Sequence, residues 1–247
     1  MKQRISSLLG SVSACAIIIF LLLSSVDMNC FNTNFFEQQY KELHTAESLK
    51  MDQDDLMKAT TTLLDYLRGD AETIEVTIEV DGVMREAFNE RESAHMVDVR
   101  ALYQHAMSVR WGACFVFVVS ILTLIYLQRK AFFDYFSNGF LWVSVLFIFF
   151  LCLLGIWILA DFTGFWTSFH QLFFTNDLWL LNPSRDLMIN LFPETFFSNL
   201  VIRIILWFLA FYLSLLIATL YNQHQQLQMF FFPQRVGKIR KKSERSS

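Results

Sequence analysis

The sequence predicts an α-helical integral membrane protein, with four transmembrane helices and a small extracytoplasmic α+β cap. The first observation is composition: 54% of the 247 residues are hydrophobic and only 17% are charged, too few to cover a soluble fold of this size. The second is a set of four apolar stretches, each long enough to cross a hydrocarbon core of about 30 Å as a helix. These stretches cover residues 8–26, 111–127, 140–160 and 200–221.

The placement of basic residues is the third observation, and it predicts the orientation. Lysine and arginine flank the apolar stretches in three groups, which all fall on one side if there are four crossings. The positive-inside rule makes that side cytoplasmic, so both termini are expected in the cytoplasm. The residues concerned are Lys2, Arg4, Arg129, Lys130, Arg235, Lys238, Arg240, Lys241, Lys242 and Arg245.

This topology divides the chain into six parts. In order, they are a cytoplasmic N-terminus with the first transmembrane helix (1–27), the extracytoplasmic cap (28–110), the second and third helices with a short cytoplasmic loop (111–160), an aromatic-rich extracytoplasmic or interfacial segment (161–199), the fourth helix (200–221) and a basic cytoplasmic tail (222–247). A cleaved signal peptide is the alternative for the first part, but no A-x-A-like site precedes Asp27. An uncleaved anchor is therefore preferred, and a Cys30–Cys114 disulfide stays open.

The cap begins with two helical patterns and continues with a hairpin. Residues 31–50 and 54–68 are expected to be helices. The apolar period then changes to two, which predicts strands over residues 74–80 and 83–88 around an Asp81-Gly82 turn. Because an isolated hairpin is marginally stable, this one must pack on the helices or on the membrane.

A long helix is expected after the hairpin. Asn89 is suited to cap this helix, and Glu92 three residues later completes a capping-box pattern. The helix covers residues 90 to about 107 and continues toward the second apolar stretch. His95 then lies on the face that packs inward, and Asp98 follows about one turn later, where it could orient or charge-balance the imidazole.

The second extracytoplasmic segment is rich in aromatic residues. Rings this dense beside two apolar stretches indicate a segment in the headgroup region, where they sit half-buried. Pro183 and Pro193 fit the first turns of two short helices, the second of which runs into the fourth apolar stretch. Arg203, one turn inside that stretch, is expected to snorkel to lipid headgroups or, less favourably, to meet Asp161.

Two histidines are the candidate functional residues. His95 lies in the cap helix, and His170 lies in the middle of the aromatic run, where an unpaired polar group would be costly. An isolated histidine is more often structural than catalytic, so each keeps the alternative of a structural role. The settings of the other three histidines do not favour chemistry; they are His44, His105 and His224.

Several catalytic signatures are missing from the sequence. It contains no G-x-S-x-G elbow, no H-E-x-x-H motif and no phosphate-binding glycine loop. The two histidines could bind a metal together with Glu92 or Asp98, but no spacing demands one, and no cofactor is expected. The basic tail is explained by orientation and by contact with anionic lipids, and nothing indicates a nucleic acid partner.

Three sequence blocks resemble the bacterial lipoprotein intramolecular transacylase (Lit) family. Two of them look like its hallmark segments: FNERESAHMVDV at residues 88–99 and FHQLFFTNDLW at residues 169–179. The stretch DLMINLFPE at residues 186–194 strengthens the resemblance. The blocks are specific to the family, and the four-span layout with an exterior cap is similar as well.

The resemblance implies an acyl shift within one diacylglyceryl lipoprotein. The family moves the sn-2 acyl chain from the glyceryl oxygen to the amino group of the N-terminal cysteine, which leaves a lyso-form lipoprotein. Its two catalytic histidines correspond to His95 and His170, and both motifs are intact. The implied partners are this lipoprotein substrate and membrane lipids, and the oligomeric state is left open.

This chemistry agrees with the residues present. Because donor and acceptor share one molecule, no acyl-enzyme is required, which accounts for the absence of a serine or cysteine nucleophile. Direct attack closes a medium-sized ring, so the protein must hold the substrate folded. The aromatic residues suited to confine the acyl chains are Phe165, Trp166, Phe169 and Trp179.

We expect the two histidines to have different roles. His170 would take the proton from the attacking amine, and His95 would donate to the oxyanion or leaving alkoxide; the reverse assignment is nearly as favourable. Glu92 or Asp98 could set the His95 tautomer. Two other functions stay open, a non-catalytic membrane adaptor or sensor and a metal-dependent membrane hydrolase that uses the same histidines.

Overall fold

The computed structural model describes residues 1–231, and most of them are helical. The elements are, in chain order, α1 (Lys2–Cys30), α2 (Thr33–Glu42), α3 (Thr45–Leu49), α4 (Gln53–Arg68), β1 (Thr77–Val80), β2 (Val83–Glu86), α5 (Glu90–Gln128), α6 (Phe132–Ala160), α7 (Phe162–Phe173), α8 (Met188–Leu191) and α9 (Glu194–Phe231). A 3-10 turn at Arg129–Ala131 separates α5 from α6. The basic residues of the predicted tail, from Arg235 onward, lie outside the described residues.

Three helical segments in the described part of the chain are long and apolar enough to cross a membrane. They are Lys2–Cys30, Glu90–Ala160 and Glu194–Gln228. The middle segment has 71 residues and contains both α5 and α6, so the two predicted stretches within it are joined by the 3-10 turn. The four predicted stretches are all helical, and the number of crossings stays a prediction.

The chain divides into two compact units. The first contains Met1–Leu21, Trp111–Leu153 and the described residues from Phe208 onward, and the second contains Leu22–Arg110 and Leu154–Trp207. The predicted functional residues all lie in the second unit.

In the first unit, α1 and α6 approach closely at two glycines. A Cβ at Gly10 would lie 2.2 Å from the carbonyl oxygen of Tyr135, and one at Gly139 would lie 2.3 Å from the carbonyl carbon of Gly10. Small residues of this kind let apolar helices pack backbone to backbone. In the same unit, aromatic rings of α6 and α9 pack against one another in tilted and edge-to-face contacts; they are Phe140, Phe147, Phe208 and Tyr212.

The second unit has a hydrophobic core built from α2, α4, the hairpin and the start of α9. Leu56 and Leu64 recur at helical spacing on the inner face of α4 and belong to one cluster with Ile78 of β1. The hydroxyls of Tyr40 and Thr60 lie 2.7 Å apart inside this core and satisfy each other.

The hairpin confirms the predicted turn, but its first strand is shorter than predicted. Asp81 and Gly82 have φ values of 53° and 78°, the left-handed conformation that a two-residue hairpin turn of this type requires. Residues 74–76 are not part of β1, because Ile74 packs against Leu63 and Tyr66 of α4 instead.

Two predictions about helices are wrong. The helix expected over residues 31–50 breaks into α2 and α3 at His44, whose φ is 52°, and the new direction brings Met51 into a bridge with Val80. Pro183 lies in a turn rather than at the start of a helix, since α8 begins only at Met188. The prediction for the second proline is confirmed, because α9 begins at the residue after Pro193.

Candidate active site

Two histidines from different helices lie beside each other in the second unit. The rings of His95 in α5 and His170 in α7 have centroids 6.2 Å apart and are tilted by 31°. Both residues are buried, with exposed fractions of 6% and 9%. The two histidines singled out from the sequence are therefore brought together, although 75 positions separate their numbers.

The start of α5 is fixed by a capping box. The backbone N–H of Asn89 donates to Glu92 at 2.8 Å, and the backbone N–H of Glu92 donates to the side-chain oxygen of Asn89 at 3.1 Å. This reciprocal pair satisfies donors that a helix N-terminus leaves unpaired. It also sets the phase of α5, which carries His95 inward one turn later.

The tautomer of His170 follows from its position in α7. Asp161 caps this helix by accepting a hydrogen bond of 2.8 Å from the N–H of Gly164. The carbonyl oxygen of Trp166, one turn earlier in α7, lies 2.8 Å from Nδ1 of His170. A carbonyl oxygen only accepts hydrogen bonds, so Nδ1 carries the proton and Nε2 of the neutral ring carries the lone pair.

His95 is held by packing rather than by hydrogen bonds. Its Nδ1 is buried and has no hydrogen-bond partner among the described residues. Burial, with repulsion from a charged His170 as the second cause, lowers the pKa of His95 to about 4. Burial also lowers the pKa of His170, although the hydrogen bond to Trp166 opposes that shift. Both imidazoles are therefore neutral at pH 7.

Aromatic rings surround His170. The centroids of Trp166 and Trp179 both lie 4.9 Å from that of His170, and the centroid of Phe169 lies 5.7 Å away. Trp166 and Phe169 stack on each other at 5.4 Å. Three of the four predicted aromatic residues thus line the imidazole.

The fourth predicted aromatic residue lies elsewhere, and another takes its place. Phe165 packs against Trp157 with centroids 5.7 Å apart, because it faces another side of α7 from His170. Phe174 was not singled out from the sequence, yet its ring lies 5.3 Å from His95 and 5.6 Å from His170. As the residue directly after α7, it has no helical phase from which this contact could be predicted.

Asp98 binds a loop instead of a histidine. One of its oxygens accepts a hydrogen bond of 2.8 Å from the side-chain amide of Asn176, and no hydrogen bond joins it to His95 in the described chain. The negative charge of Asp98 opposes the lowering of the pKa of His95. The charge of Asp98 thus favours a protonated His95, and the described residues show no hydrogen bond through which Asp98 would orient the imidazole.

Glu92 is occupied on both carboxylate oxygens by backbone groups. One oxygen accepts from the N–H of Met188 at 2.6 Å, and the other completes the capping box with Asn89. The side chain is only 1% exposed; burial raises its pKa, and the backbone donors oppose that shift. With no hydrogen bond to His95 within residues 1–231, Glu92 joins α5 to α8 rather than setting a tautomer.

The comparison with protein families decides the identity. The profile of the family described as Lipoprotein intramolecular transacylase Lit matches residues 11–197, which is well over half of the chain.

The chain belongs to the Lit family.

Solved Lit structures share the fold of this protein. The membrane integral lipoprotein intramolecular transacylase Lit from Bacillus cereus has a TM-score of 0.71 and 19% identity, over 90% of this chain and 99% of that one. A histidine-to-alanine variant of that protein gives a TM-score of 0.68 at 18% identity, over 90% and 97% of the two chains. A histidine-to-arginine variant gives 0.65 at 18% identity, over 90% and 94%. No curated protein sequence matches the chain significantly.

Membership of the Lit family makes this protein an acyltransferase, a lipoprotein intramolecular transacylase, and the shared fold is that of a membrane-integral helical protein. In the described residues, no group of three or more His, Cys, Asp or Glu side chains could hold a metal ion. The four cysteines, which are all described, are free thiols.

Four other polar residues around the Lit site were not singled out from the sequence, and Asn89 was expected only to cap α5. The side-chain amide of Asn89 donates to Asp186 at 2.8 Å, and Arg91 binds the backbone carbonyl of Asp177. These contacts, together with that of Asn176, tie the loop after α7 to the first turns of α5. All five residues lie inside the blocks that resemble the family, which is the signal that could have found them.

Proposed function

We propose that this Lit-family protein moves the sn-2 acyl chain of a diacylglyceryl lipoprotein to the amino group of its N-terminal cysteine, with His95 and His170 as the catalytic residues. One observation carries the proposal. Two neutral, buried imidazoles lie beside each other with centroids 6.2 Å apart, and in the described part of the chain the one hydrogen bond to either ring is that of His170 Nδ1 with Trp166, so both Nε2 atoms are available. The product is a lyso-form lipoprotein.

The reaction requires one bond to form and one to break. The neutral amine attacks the ester carbonyl carbon, the new N–C bond forms, and the C–O bond to the glyceryl oxygen breaks. The amine loses one proton, and the leaving oxygen gains one. No electron acceptor or second substrate is needed, so a proton carrier and an oxyanion donor suffice.

His170 is suited to carry the proton. Its Nδ1–H points to the carbonyl of Trp166, so the lone pair of Nε2 is available to the amine. The imidazolium that forms keeps this hydrogen bond. It also faces the ring of Trp179 at 4.9 Å, and an aromatic face stabilises a cation. Nε2 then returns the proton to the leaving glyceryl oxygen.

His95 is suited to donate to the oxyanion. Its pKa of about 4 keeps the ring neutral, and a neutral imidazole N–H still donates a hydrogen bond to developing negative charge. The reverse assignment would require His95 to accept a proton at a pKa well below that of an ordinary histidine. The hydrogen bond from Nδ1 of His170 to Trp166, which leaves the lone pair on Nε2, therefore favours His170 as the base.

The aromatic rings are suited to hold the substrate folded. Direct attack closes a ring through the amine, the cysteine carbons, the sulfur, two glyceryl carbons, the ester oxygen and the carbonyl carbon. Positioning of reactants contributes about 7–11 kcal/mol in well-oriented intramolecular reactions. Trp166, Phe169 and Trp179 offer apolar surface next to His170 for the acyl chain, whereas Phe165 supports the helix from the side of Trp157.

We also infer four membrane crossings, with both termini in the cytoplasm and the histidines on the extracytoplasmic side. A straight helix as long as Glu90–Ala160 would measure about 105 Å, more than three times a hydrocarbon core of about 30 Å. The 3-10 turn breaks this segment, and Arg129 there has a φ of 47°, which ends α5. The basic residues at the turn support the cytoplasmic side.

The test is mass spectrometry of a reporter lipoprotein from cells that express variants at matched levels. His95→Ala and His170→Ala are each expected to abolish the lyso-form, whereas His105→Ala, on the same helix as His95, keeps it. Undiminished product from either of the first two variants removes that histidine from the mechanism. Full activity in the purified protein with a strong chelator separates this reaction from metal-dependent hydrolysis, and a non-catalytic adaptor would leave the lipid of the reporter unchanged.

A further inference from the structure

We propose that a second site, built around Arg203 of α9, binds the phosphodiester of a glycerophospholipid of the bilayer. The site is a cavity of about 490 Å³ between α2 and α9 in the second unit. It goes beyond the acyl-transfer reaction and contains none of the residues placed in it. Its polar lining includes Arg203, Gln39 and Asn199, and its apolar lining includes Ile202 and Leu206.

Arg203 is an isolated charge in an apolar helix. No other lysine, arginine, aspartate or glutamate occurs between Glu194 and Arg235. A charged side chain within a membrane-spanning helix costs several kcal/mol, so such residues find a partner or reach the headgroups. The question is therefore what neutralises Arg203.

The side chain of Arg203 is fixed by neutral groups. Its Nε donates to the side-chain oxygen of Asn29 at 2.8 Å, and the guanidinium carbon lies 4.9 Å from the centre of the Phe35 ring. Asn29 is in turn held by a hydrogen bond of 2.7 Å to the carbonyl oxygen of Ser25. The alternative that Arg203 meets Asp161 is wrong, since Asp161 accepts from the N–H of Gly164 and no ion pair within residues 1–231 joins it to Arg203.

The charge of Arg203 is left without a counter-ion. In residues 1–231, no ion pair joins Arg203 to a carboxylate, and its two terminal amino groups make no hydrogen bond. A guanidinium presents five N–H donors, and only Nε is engaged. The remaining four can grip two oxygens of one anion, which is the geometry that suits phosphate.

The lining adjacent to Arg203 selects the class of anion. Ile202 and Leu206 are 40% and 61% exposed and lie on the same helix as Arg203, so an anion held there has apolar surface beside it. Asn199 and Gln39, joined by a hydrogen bond of 2.6 Å, supply amide groups in the same cavity. A phosphodiester attached to acyl chains can contact the guanidinium, the amide groups and the apolar residues together. A free phosphate would leave the apolar wall unused, and a diacylglyceryl cysteine carries no phosphate.

The test uses probes that separate a phospholipid from free phosphate and from a lipid without phosphate. The full-length protein is purified in a neutral detergent and titrated with phosphatidylglycerol, with a diacylglycerol of the same acyl chains, and with inorganic phosphate, and native mass spectrometry counts the bound molecules. At this site phosphatidylglycerol is expected to bind about tenfold more tightly than either other probe, because diacylglycerol lacks the phosphate and inorganic phosphate lacks the acyl chains. Equal binding of inorganic phosphate, or a diacylglycerol affinity that Leu206→Glu lowers as much as it lowers that of phosphatidylglycerol, would overturn the proposal.

A matched pair of variants tests the charge itself. Leu206→Glu places a carboxylate one turn from Arg203 and supplies a counter-ion from the protein, whereas Leu206→Gln has the same size without the charge. Phosphatidylglycerol affinity is expected to fall about tenfold in Leu206→Glu and in Arg203→Gln, and to stay within about twofold of wild type in Leu206→Gln. Thermal unfolding identifies the folded variants. If Arg203→Gln does not fold, the comparison of Leu206→Glu with Leu206→Gln decides the test. Unchanged affinity in Leu206→Glu, or an equal loss in Leu206→Gln, would refute the site. Neither binding result depends on the acyl-transfer activity.

Discussion

Asn176 donates a hydrogen bond of 2.8 Å from its side-chain amide to Asp98, a residue 78 positions earlier in the chain. The backbone carbonyl of Asn176 also accepts from the indole N–H of Trp179 at 3.0 Å. The Trp179 ring in turn lies 4.9 Å from that of His170. Helix α5 therefore carries His95 and, through Asp98 and Asn176, also helps to position the Trp179 ring beside His170.

Disruption of this hydrogen bond is expected to lower activity. In Asn176→Asp, a carboxylate would face that of Asp98, and the repulsion would loosen the loop that carries Trp179. We expect kcat to fall about tenfold, which corresponds to about 1.4 kcal/mol in the barrier. The measurement is the initial rate of lyso-form production by purified protein in neutral micelles.

A double variant serves as the control. Asp98→Asn combined with Asn176→Asp exchanges donor and acceptor and restores the hydrogen bond, so kcat is expected to recover most of the loss. If the double variant is as slow as Asn176→Asp, the hydrogen bond does not position Trp179 and the charge of Asp98 acts on its own.

Glu92→Gln is expected to destabilise the protein. The amide replaces one acceptor oxygen by a donor, which then faces the N–H of Asn89 or of Met188 inside the fold. An unsatisfied buried group of this kind costs about 1–3 kcal/mol. Thermal unfolding should show a clear loss relative to Glu90→Gln, an exposed position on the same helix turn. Equal midpoints for the two variants would contradict the proposed link between α5 and α8.

The rate of acyl transfer should depend on pH in two steps. The attacking amine must be neutral, and its pKa of about 7.7–8 makes kcat/KM fall with a slope of one below that range. Burial lowers the pKa of His170, so this base stays unprotonated to a lower pH than an ordinary histidine. A second unit of slope should therefore begin only below pH of about 6.5. A slope of two already at neutral pH would exclude His170 as the base.

The contact of α1 with α6 provides a test of packing. A methyl group at Gly139 would lie 2.3 Å from the backbone of Gly10, so Gly139→Ala must push the helices apart. Overpacking of this kind costs about 1–3 kcal/mol. Gly112→Ala is the matched control, because nothing lies within 4 Å of its added methyl group. Thermal unfolding of both variants in the same detergent should lower the midpoint only in Gly139→Ala.

Features that depend on neighbouring residues could be predicted from the sequence. The capping box of Asn89 and Glu92 spans three positions, and the Asp81-Gly82 turn spans two, so both are specified locally. The inward phase of His95 follows from the same helix. The alternation of apolar residues, however, predicted too long a strand β1, because Ile74 packs in a cluster with residues of α4 rather than in the strand.

Features that depend on distant residues could not be predicted. Helical spacing placed Glu92 and Asp98 near His95, but their partners, Met188 and Asn176, lie almost eighty or more positions later in the chain. No local pattern states which backbone N–H or amide will arrive at a carboxylate. The contact of Phe174 with both histidines was missed for the same reason.

The hydrogen bond from His170 to the carbonyl of Trp166 gives this histidine an orienting partner that does not titrate. In many histidine-dependent enzymes a carboxylate has that position, and its ionisation adds a second proton equilibrium to the pH response. A peptide carbonyl stays uncharged across the whole range and comes with the α-helix itself. No side-chain substitution can delete it, so the tautomer of His170 lasts as long as the turn of α7 between residues 166 and 170 stays wound.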